Sequence, residues 1–294
     1  MKKRKTKRNS TKRNGTKVII FVLVLALILF LAARCLNKEE MPEGMLAVHF
    51  IDVGQGDCEL IVTPDGQTML IDAGIPESGE DIVSYISALG ITEIDIFVAT
   101  HYHEDHIGGS PQVFDAFEIL SVLILECEVK TVCAKNLLKD IEEEKSEIVY
   151  AERGYEFELG EADFLTLSPE KITDGGGNDD SIVLRMQYGE ARYIFTGDAE
   201  EKAEKEILSH YSKSELSSDL LKAGHHGSRT STSDEFLAAV SPNIAIISCG
   251  EGNKYGHPHI ETVEKLSMSV SYIYRTDVIG SIIILTDGEK IYKK

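Results

Sequence analysis

Short apolar strands alternating with amphipathic helices over residues 45–294 predict an α/β fold. Two further observations shape that prediction. Metal-capable side chains recur at the ends of the strand-like runs, and a sixteen-residue apolar run, 18–33, precedes everything that reads as a folded domain.

The chain opens with residues 1–17, which carry nine Lys or Arg and no acid. With Cys35 and Leu36, the apolar segment 18–36 has about the length a tilted helix needs to cross a ~30 Å hydrocarbon core. Glu39, Glu40 and Glu43 follow. The positive-inside rule then keeps residues 1–17 as a cytoplasmic tail and puts the remainder outside the cell. A cleaved signal peptide has a shorter apolar region and small residues at the cut, which Ala33-Arg34-Cys35 does not supply. Arg34 also argues against a lipoprotein cysteine. An uncleaved signal anchor is therefore expected, with 37–44 as linker and 45–294 as the folded domain.

From Met45, LAVHFIDV, CELIVT and TMLIDA read as strands separated by the turn signals Gly54-Gln55-Gly56-Asp57 and Pro64-Asp65-Gly66. Residues 80–89 have helical spacing and stop at Gly90. EIDIFVA is a buried strand leading into THYHEDHIGG, and residues 134–145 read as an exposed helix. After Glu156, FEL, ADFLTL, SIVLRMQY and ARYIFT form a meander interrupted by the glycine-rich loop 174–178. Residues 199–211 make a charged helix and DLLKA a strand running into His225. DEFLAAV, NIAIISC, ETVEKLSM and SIIILTD continue the α/β alternation.

The formal charge is −19, and without the nine tail cations it falls to −28. So acidic a domain excludes a broad basic surface for nucleic acid. A phosphate-bearing substrate has to be held locally, by metal ions. The five cysteines include no CxxC pair, so a cysteine zinc site is not suggested. Cys58 and Cys249 lie in apolar surroundings and are expected as buried thiols. A bridge between Cys127 and Cys133 on an oxidising exterior is left open.

THYHEDHIGG holds His101, His103, Asp105 and His106 within six positions. Residues two apart in an extended segment point the same way, so His101 and His103 can share one ion. Asp105 and His106 follow where the chain turns into a helix and can face a second. Burying so many such residues without a partner is costly, which argues against a purely structural role. Asp52, Asp57, Asp72, Asp198, His225 and His226 stand at the ends of other predicted strands. Each alone reads as a turn residue; together with THYHEDHIGG they read as one site.

The ordered motifs DVGQGD, LIDAG, THYHEDHIGG, IFTGD, LLKAGHHGS and YGHP, spread over residues 46–287, resemble the metallo-β-lactamase superfamily. More narrowly they are similar to the hydrolase domain of the ComEC competence proteins. The resemblance implies a four-layer αββα sandwich with two divalent metal ions at one edge of the paired sheets. It implies His101 and His103 on the first ion, Asp105 and His106 on the second, Asp198 bridging, and His225 completing the second ion's shell. Asp52, Asp57 and Asp72 would be supports. One departure stands out: the loop 177–181 has no histidine, so Asn178 or Asp180 takes a ligand's place there, or the first ion is weakly held. The donor set suits zinc, with manganese open.

Two such ions, about 3.5–4 Å apart, generate a nucleophile from water at neutral pH and align a phosphodiester. Asp105 is then a catalytic candidate that steers the water's proton. His257 is another, for the leaving oxygen or a phosphate oxygen, with a plain turn histidine as the competing role. His226 and Ser228 are candidates for substrate contact, and a helix N-cap is the alternative for Ser228. The function expected is a membrane-anchored extracellular metal-dependent phosphodiesterase, with DNA as the substrate the resemblance suggests. A hydrolase of a small phosphoester, phosphocholine, ester or lactone is the alternative, and a non-catalytic surface binding module is the alternative of another class.

Overall fold

The computed structural model describes residues 44–294 apart from Asp174. The expected basic tail, membrane segment and all but the end of the linker lie outside the described residues. Among the described residues no helix is long and apolar enough to cross a membrane. The described residues that carry the site belong to one compact unit, which runs to Lys294.

The strands are β1 (Leu46–Phe50), β2 (Glu59–Val62), β3 (Thr68–Ile71), β4 (Glu93–Val98), β5 (Glu118–Ile124), β6 (Glu147–Tyr150), β7 (Glu156–Leu159), β8 (Ala162–Ser168), β9 (Val183–Tyr188), β10 (Ala191–Phe195), β11 (Leu220–Lys222), β12 (Ile244–Ile247), β13 (Tyr272–Arg275), β14 (Ile282–Thr286) and β15 (Ile291–Lys293). They form two sheets, ordered β15-β14-β1-β2-β3-β4-β5-β6 and β13-β12-β11-β10-β9-β8-β7. The helices are α1 (Gly79–Ala88), α2 (Glu104–Ile107), α3 (Ser110–Ala116), α4 (Val132–Glu144), α5 (Glu201–His210), α6 (Lys213–Leu216), α7 (Asp234–Val240), α8 (Ile260–Ser269) and α9 (Thr276–Ile279).

Central strands such as β1 are buried at every position, which explains why LAVHF lacks strict alternation. Phe50 of β1 stacks on Phe195 of β10, ring centroids 6.2 Å apart, so the sheets meet face to face. On the far side of the second sheet, Ala203 and Ile207 of α5 and Phe236 and Leu237 of α7 join Ile194 and Leu221 in one apolar cluster. On the first sheet, Phe97 of β4 meets Phe114 of α3 edge-on at 5.4 Å. Layering is therefore helix, sheet, sheet, helix. The helix expected at 134–145 is present as α4 but is not wholly exposed. It buries Ala134, Leu137 and Ile141, a stripe at helical spacing, and its first turn is capped by the Thr131 hydroxyl.

Strand direction places the site. β3 and β4 run parallel, as do β10 and β11. β1 and β2 are antiparallel, and so are β2 and β3, so β1 runs with β3. Loops leaving β1, β3, β4, β10 and β11 therefore emerge at one edge of the paired sheets. They carry Asp57, Asp72, His101–His106, Asp198 and His225–His226.

Candidate metal centre

The THYHEDHIGG loop is seated by backbone contacts with two neighbouring loops. Ala73 donates its N–H to the His106 carbonyl at 2.6 Å, Asp57 to that of Asp105 at 3.2 Å, and Gly74 to that of Asp57 at 2.8 Å. Glycine is needed at Gly56 and Gly109, where a Cβ would collide with the carbonyl oxygens of Asp105 and Ala73. His103 starts α2, and its extended backbone keeps the HxH alternation inferred from sequence.

Asp198 lies at the centre. Its Oδ1 is 3.2 Å from His106 Nε2 and 3.5 Å from His226 Nε2. Its Oδ2 is 3.6 Å from His225 Nε2 and 3.9 Å from His101 Nε2. Asp105 approaches His226 Nε2 to 3.4 Å. The two carboxylate oxygens thus face two separate groups of donors. His101, His106 and Asp198 offer ligand atoms within 4.8 Å of one another, as do Asp105, His106 and His226. His103 is exposed at the pocket wall, its ring 4.6 Å from that of His101.

Each inward imidazole is held from behind. Asp72 accepts from His106 Nδ1 at 2.7 Å while Thr100 donates to it through its N–H and its hydroxyl. Asp57 stands 3.1 Å from His226 Nδ1, and Glu200 stands 2.9 Å from His225 Nδ1. Such contacts fix which ring nitrogen is free to face an ion. Asp72 itself takes φ 59, and His225 and His226 are consecutive left-handed residues at φ 49 and 55. Backbone of this kind costs about 1–3 kcal/mol per residue and persists where surroundings enforce it.

The expectation puts His225 on the side of Asp105 and His106, with His226 in substrate contact; the geometry differs for both. His226 is buried and turns Nε2 to the Asp105–Asp198 Oδ1 side, the place expected for His225. His225 is part-exposed and turns Nε2 to Asp198 Oδ2, beside His101. The left-handed turn at both residues sends successive side chains to opposite sides of Asp198. Nor does Ser228 face the pocket: it is buried and its hydroxyl pairs with Thr230 at 2.9 Å. It follows a 3-10 turn rather than capping a helix. Asp52 is exposed and closes its own turn by accepting the Gly54 N–H. Asp180 is buried and accepts from the Gly176 and Thr173 N–H groups, so it shapes the loop. Asn178 reaches the site, its Nδ2 3.3 Å from His225 Nδ1. Cys58 and Cys249 are buried, and the four described cysteines are free thiols.

Four residues escaped the sequence reading. Lys222 is fully buried and donates to Asp57 at 2.7 Å. Glu200 follows Asp198 by two, Gln55 reaches His257 Nδ1 at 3.4 Å, and Tyr255 flanks the opening. A lysine inside the apolar run LLKA was the one available signal, since an unpaired lysine does not sit in a buried strand.

Electrostatics and unmet bonding both call for cations. His101 Nε2, His106 Nε2, His226 Nε2 and Asp198 Oδ1 are buried without a hydrogen-bond partner. Burial opposes charge on His106 and His226, yet Asp198 with Asp72 raises the first well above the usual histidine range, and Asp198 with Asp57 pushes the second up to about 10. Burial also lifts carboxylates, but the surrounding imidazoles hold Asp198 well below its ordinary value. A site that draws protons onto imidazoles this strongly fits divalent ions when the imidazoles are neutral. Above it opens a pocket of about 580 Å³, lined by His103, Asp105, Asn178, Asp198, His225 and His257 among others.

Residues 51–251 match the family described as the Metallo-beta-lactamase superfamily. The chain belongs to that superfamily. Its buried histidine–aspartate cluster makes this superfamily member a metal-dependent hydrolase, with a donor arrangement that suggests a binuclear site. It is 32% identical over 252 residues to ComE operon protein 3 of Bacillus subtilis (strain 168), covering 80% of this chain and 32% of that protein. It is 31% identical over 247 residues to Competence protein ComA of Neisseria gonorrhoeae, covering 84% and 33%. With Recombination protein 2 of Haemophilus influenzae it shares 29% over 260 residues, 87% and 31% covered. The chain spans about a third of the length of these relatives. Among solved structures, CmlA, a diiron β-hydroxylase from Streptomyces venezuelae, superposes with a TM-score of 0.54 at 13% identity, over 87% of this chain and 55% of that one. That likeness extends to the fold alone. The superfamily assignment and the competence-related relatives agree with the ComEC-like resemblance.

Proposed function

We propose that this hydrolase is a phosphodiesterase that acts outside the cell while anchored by residues 18–36, with DNA as its substrate. The names of the relatives, competence and recombination, favour DNA. The observation that carries the hydrolytic reading is the convergence of the orphaned nitrogens of His106 and His226 on one oxygen of Asp198 and of His101 on the other. In this reading His101, His103 and His225 would hold one ion and Asp105, His106 and His226 the other, with Asp198 offering an oxygen to each side. Zinc suits these donors, with manganese as the alternative. Bound ions supply a nucleophile from water and neutralise charge developing on phosphorus.

The chain's own groups do the rest. Asp105, part-exposed at the pocket floor and held ionised against burial, would accept a hydrogen bond from the attacking water and steer its proton. His257 is pushed down to about 4 by burial and by His225, His226 and His259, so it is neutral at pH 7. With Gln55 Nε2 donating to its Nδ1, its Nε2–H is the donor and suits a phosphate oxygen better than proton delivery.

Metal content and phosphodiesterase activity of the full chain in detergent, compared with His103→Ala and Asp198→Ala, test this reading. Loss of metal and of turnover together is expected. Three proteins that behave alike would remove it. Orientation is tested separately, by protease added to intact cells: digestion of the large domain supports export, and protection until lysis refutes it.

A further inference from the structure

The mouth of the pocket is unlike its floor. Tyr255 is 51% exposed and stacks on His257, centroids 5.7 Å apart and planes at 24°. Val132, 73% exposed, also lines the pocket. No Lys or Arg is among the pocket-lining residues, whose charged members besides the histidines are Glu104, Asp105 and Asp198. Phosphates flanking the one at the metal centre would meet no cation among these lining residues, and Glu104 would repel them. A polyanion gripped along its backbone needs the opposite surface. Recognition beyond the reacting phosphate has to come from an uncharged, planar part of the substrate, and an exposed aromatic ring backed by a second ring offers that.

We propose that Tyr255, supported by His257, is a stacking platform for a nucleobase next to the scissile phosphate, which makes the enzyme selective for short or single-stranded nucleic acid over duplex. The proposal rests on the phosphodiesterase reading and adds to it the part of the substrate that is read. A duplex keeps its bases stacked on one another and shows Tyr255 only an edge; a single strand can turn a base face onto the ring. Lys254 Nζ lies 5.0 Å from the centroid of the Tyr255 ring. That ammonium opposes a second cation on the same ring, which disfavours a choline headgroup. It is exposed and able to swing aside for a base, where it would meet a flanking phosphate.

The test compares a single-stranded tetranucleotide, the same strand made abasic, a duplex and glycerophosphocholine, using metal-loaded full chain. Wild type is expected to prefer the tetranucleotide over its abasic form about tenfold in KM. Tyr255→Ala abolishes that preference and Tyr255→Phe retains it. KM for the tetranucleotide changes little with salt, because about one cation contacts the strand. Binding is read independently of turnover by the quenching of a phosphorothioate-linked 2-aminopurine tetranucleotide on the metal-loaded protein, and that quenching is lost in Tyr255→Ala. An unchanged base preference in Tyr255→Ala, a preference for duplex with steep salt dependence, or Tyr255-dependent turnover of glycerophosphocholine overturns the proposal. Quenching without hydrolysis of any phosphodiester by wild type leaves the base platform standing and removes the phosphodiesterase reading instead.

Discussion

Lys222 Nζ donates to Asp57 Oδ2 across 2.7 Å, and both side chains are buried. The pair ties β11 of the second sheet to the turn after β1 of the first. The other oxygen of Asp57 stands against His226, so the lysine reaches the metal centre through one carboxylate. Burial alone would raise Asp57; the Lys222 ammonium and His226 reverse that and hold it at about 2. Removing one member of a buried pair strands the other charge. Lys222→Met is therefore expected to lose about 3–5 kcal/mol in urea unfolding. A loss below about 0.5 kcal/mol would mean that the pair holds nothing together.

Glu59 makes the opposite demand. Burial, reinforced by Asp57 and only partly offset by Lys222, pushes its pKa well above the usual carboxylate range. Its Oε1 has no hydrogen-bond partner. As pH climbs past the ordinary glutamate value, the unfolded carboxyl gives up its proton while the folded one keeps it. The unfolded state then gains and stability declines until the folded pKa is reached. Glu59→Gln removes this decline. In chelator, the variant is expected to be more stable than wild type by over about 1 kcal/mol at pH 8, with the difference closing by pH 4. A difference independent of pH would show Glu59 ionised in the fold.

How these features were or were not legible follows from range. The strands β1 to β4, the loop at His101–His106 and the strand-end aspartates are encoded locally, by apolar runs ending in turn residues, and sequence located them. Strands β5, β6, β13 and β15 carry no turn-bounded alternation that marks them off from their neighbours, and β6 is largely exposed at the sheet edge. The order of His225 and His226 depends on two left-handed backbone conformations that no neighbouring residue announces. Lys222 and Asp57 are 165 positions apart, so their pairing exists only once the sheets are packed.

The order of the two histidines has a direct test by metal analysis. With His226 on the side of Asp105 and Asp198 Oδ1, His226→Ala is expected to hold about one ion per chain instead of two. Carboxylates behind the rings act more gently. Asp72→Asn, behind His106, and Glu200→Gln, behind His225, are each expected to weaken one ion about 10–100-fold while the other is kept. Titration with a chelator of graded strength separates the two affinities. If Glu200→Gln and Asp72→Asn weaken the same ion, the assignment of His225 and His106 to different ions is wrong.

Ion removal should also be visible in stability, because the donors are built into loops from both sheets. Without cations the buried Asp198 relies on neighbouring imidazoles for its charge, while at His101 burial and the neighbouring His106 outweigh Asp198 and push its pKa well below the usual histidine range. A bound ion present at a hundredfold over its dissociation constant stabilises the fold by about 2.7 kcal/mol. For a domain of this size each kcal/mol is worth about 2–4 °C, so EDTA is expected to lower Tm by roughly 5–10 °C per ion. Asp198→Asn, which takes away the shared carboxylate charge, is expected to make Tm indifferent to EDTA. A wild-type Tm that is the same in EDTA and in excess zinc or manganese would mean that the converging nitrogens hold no metal.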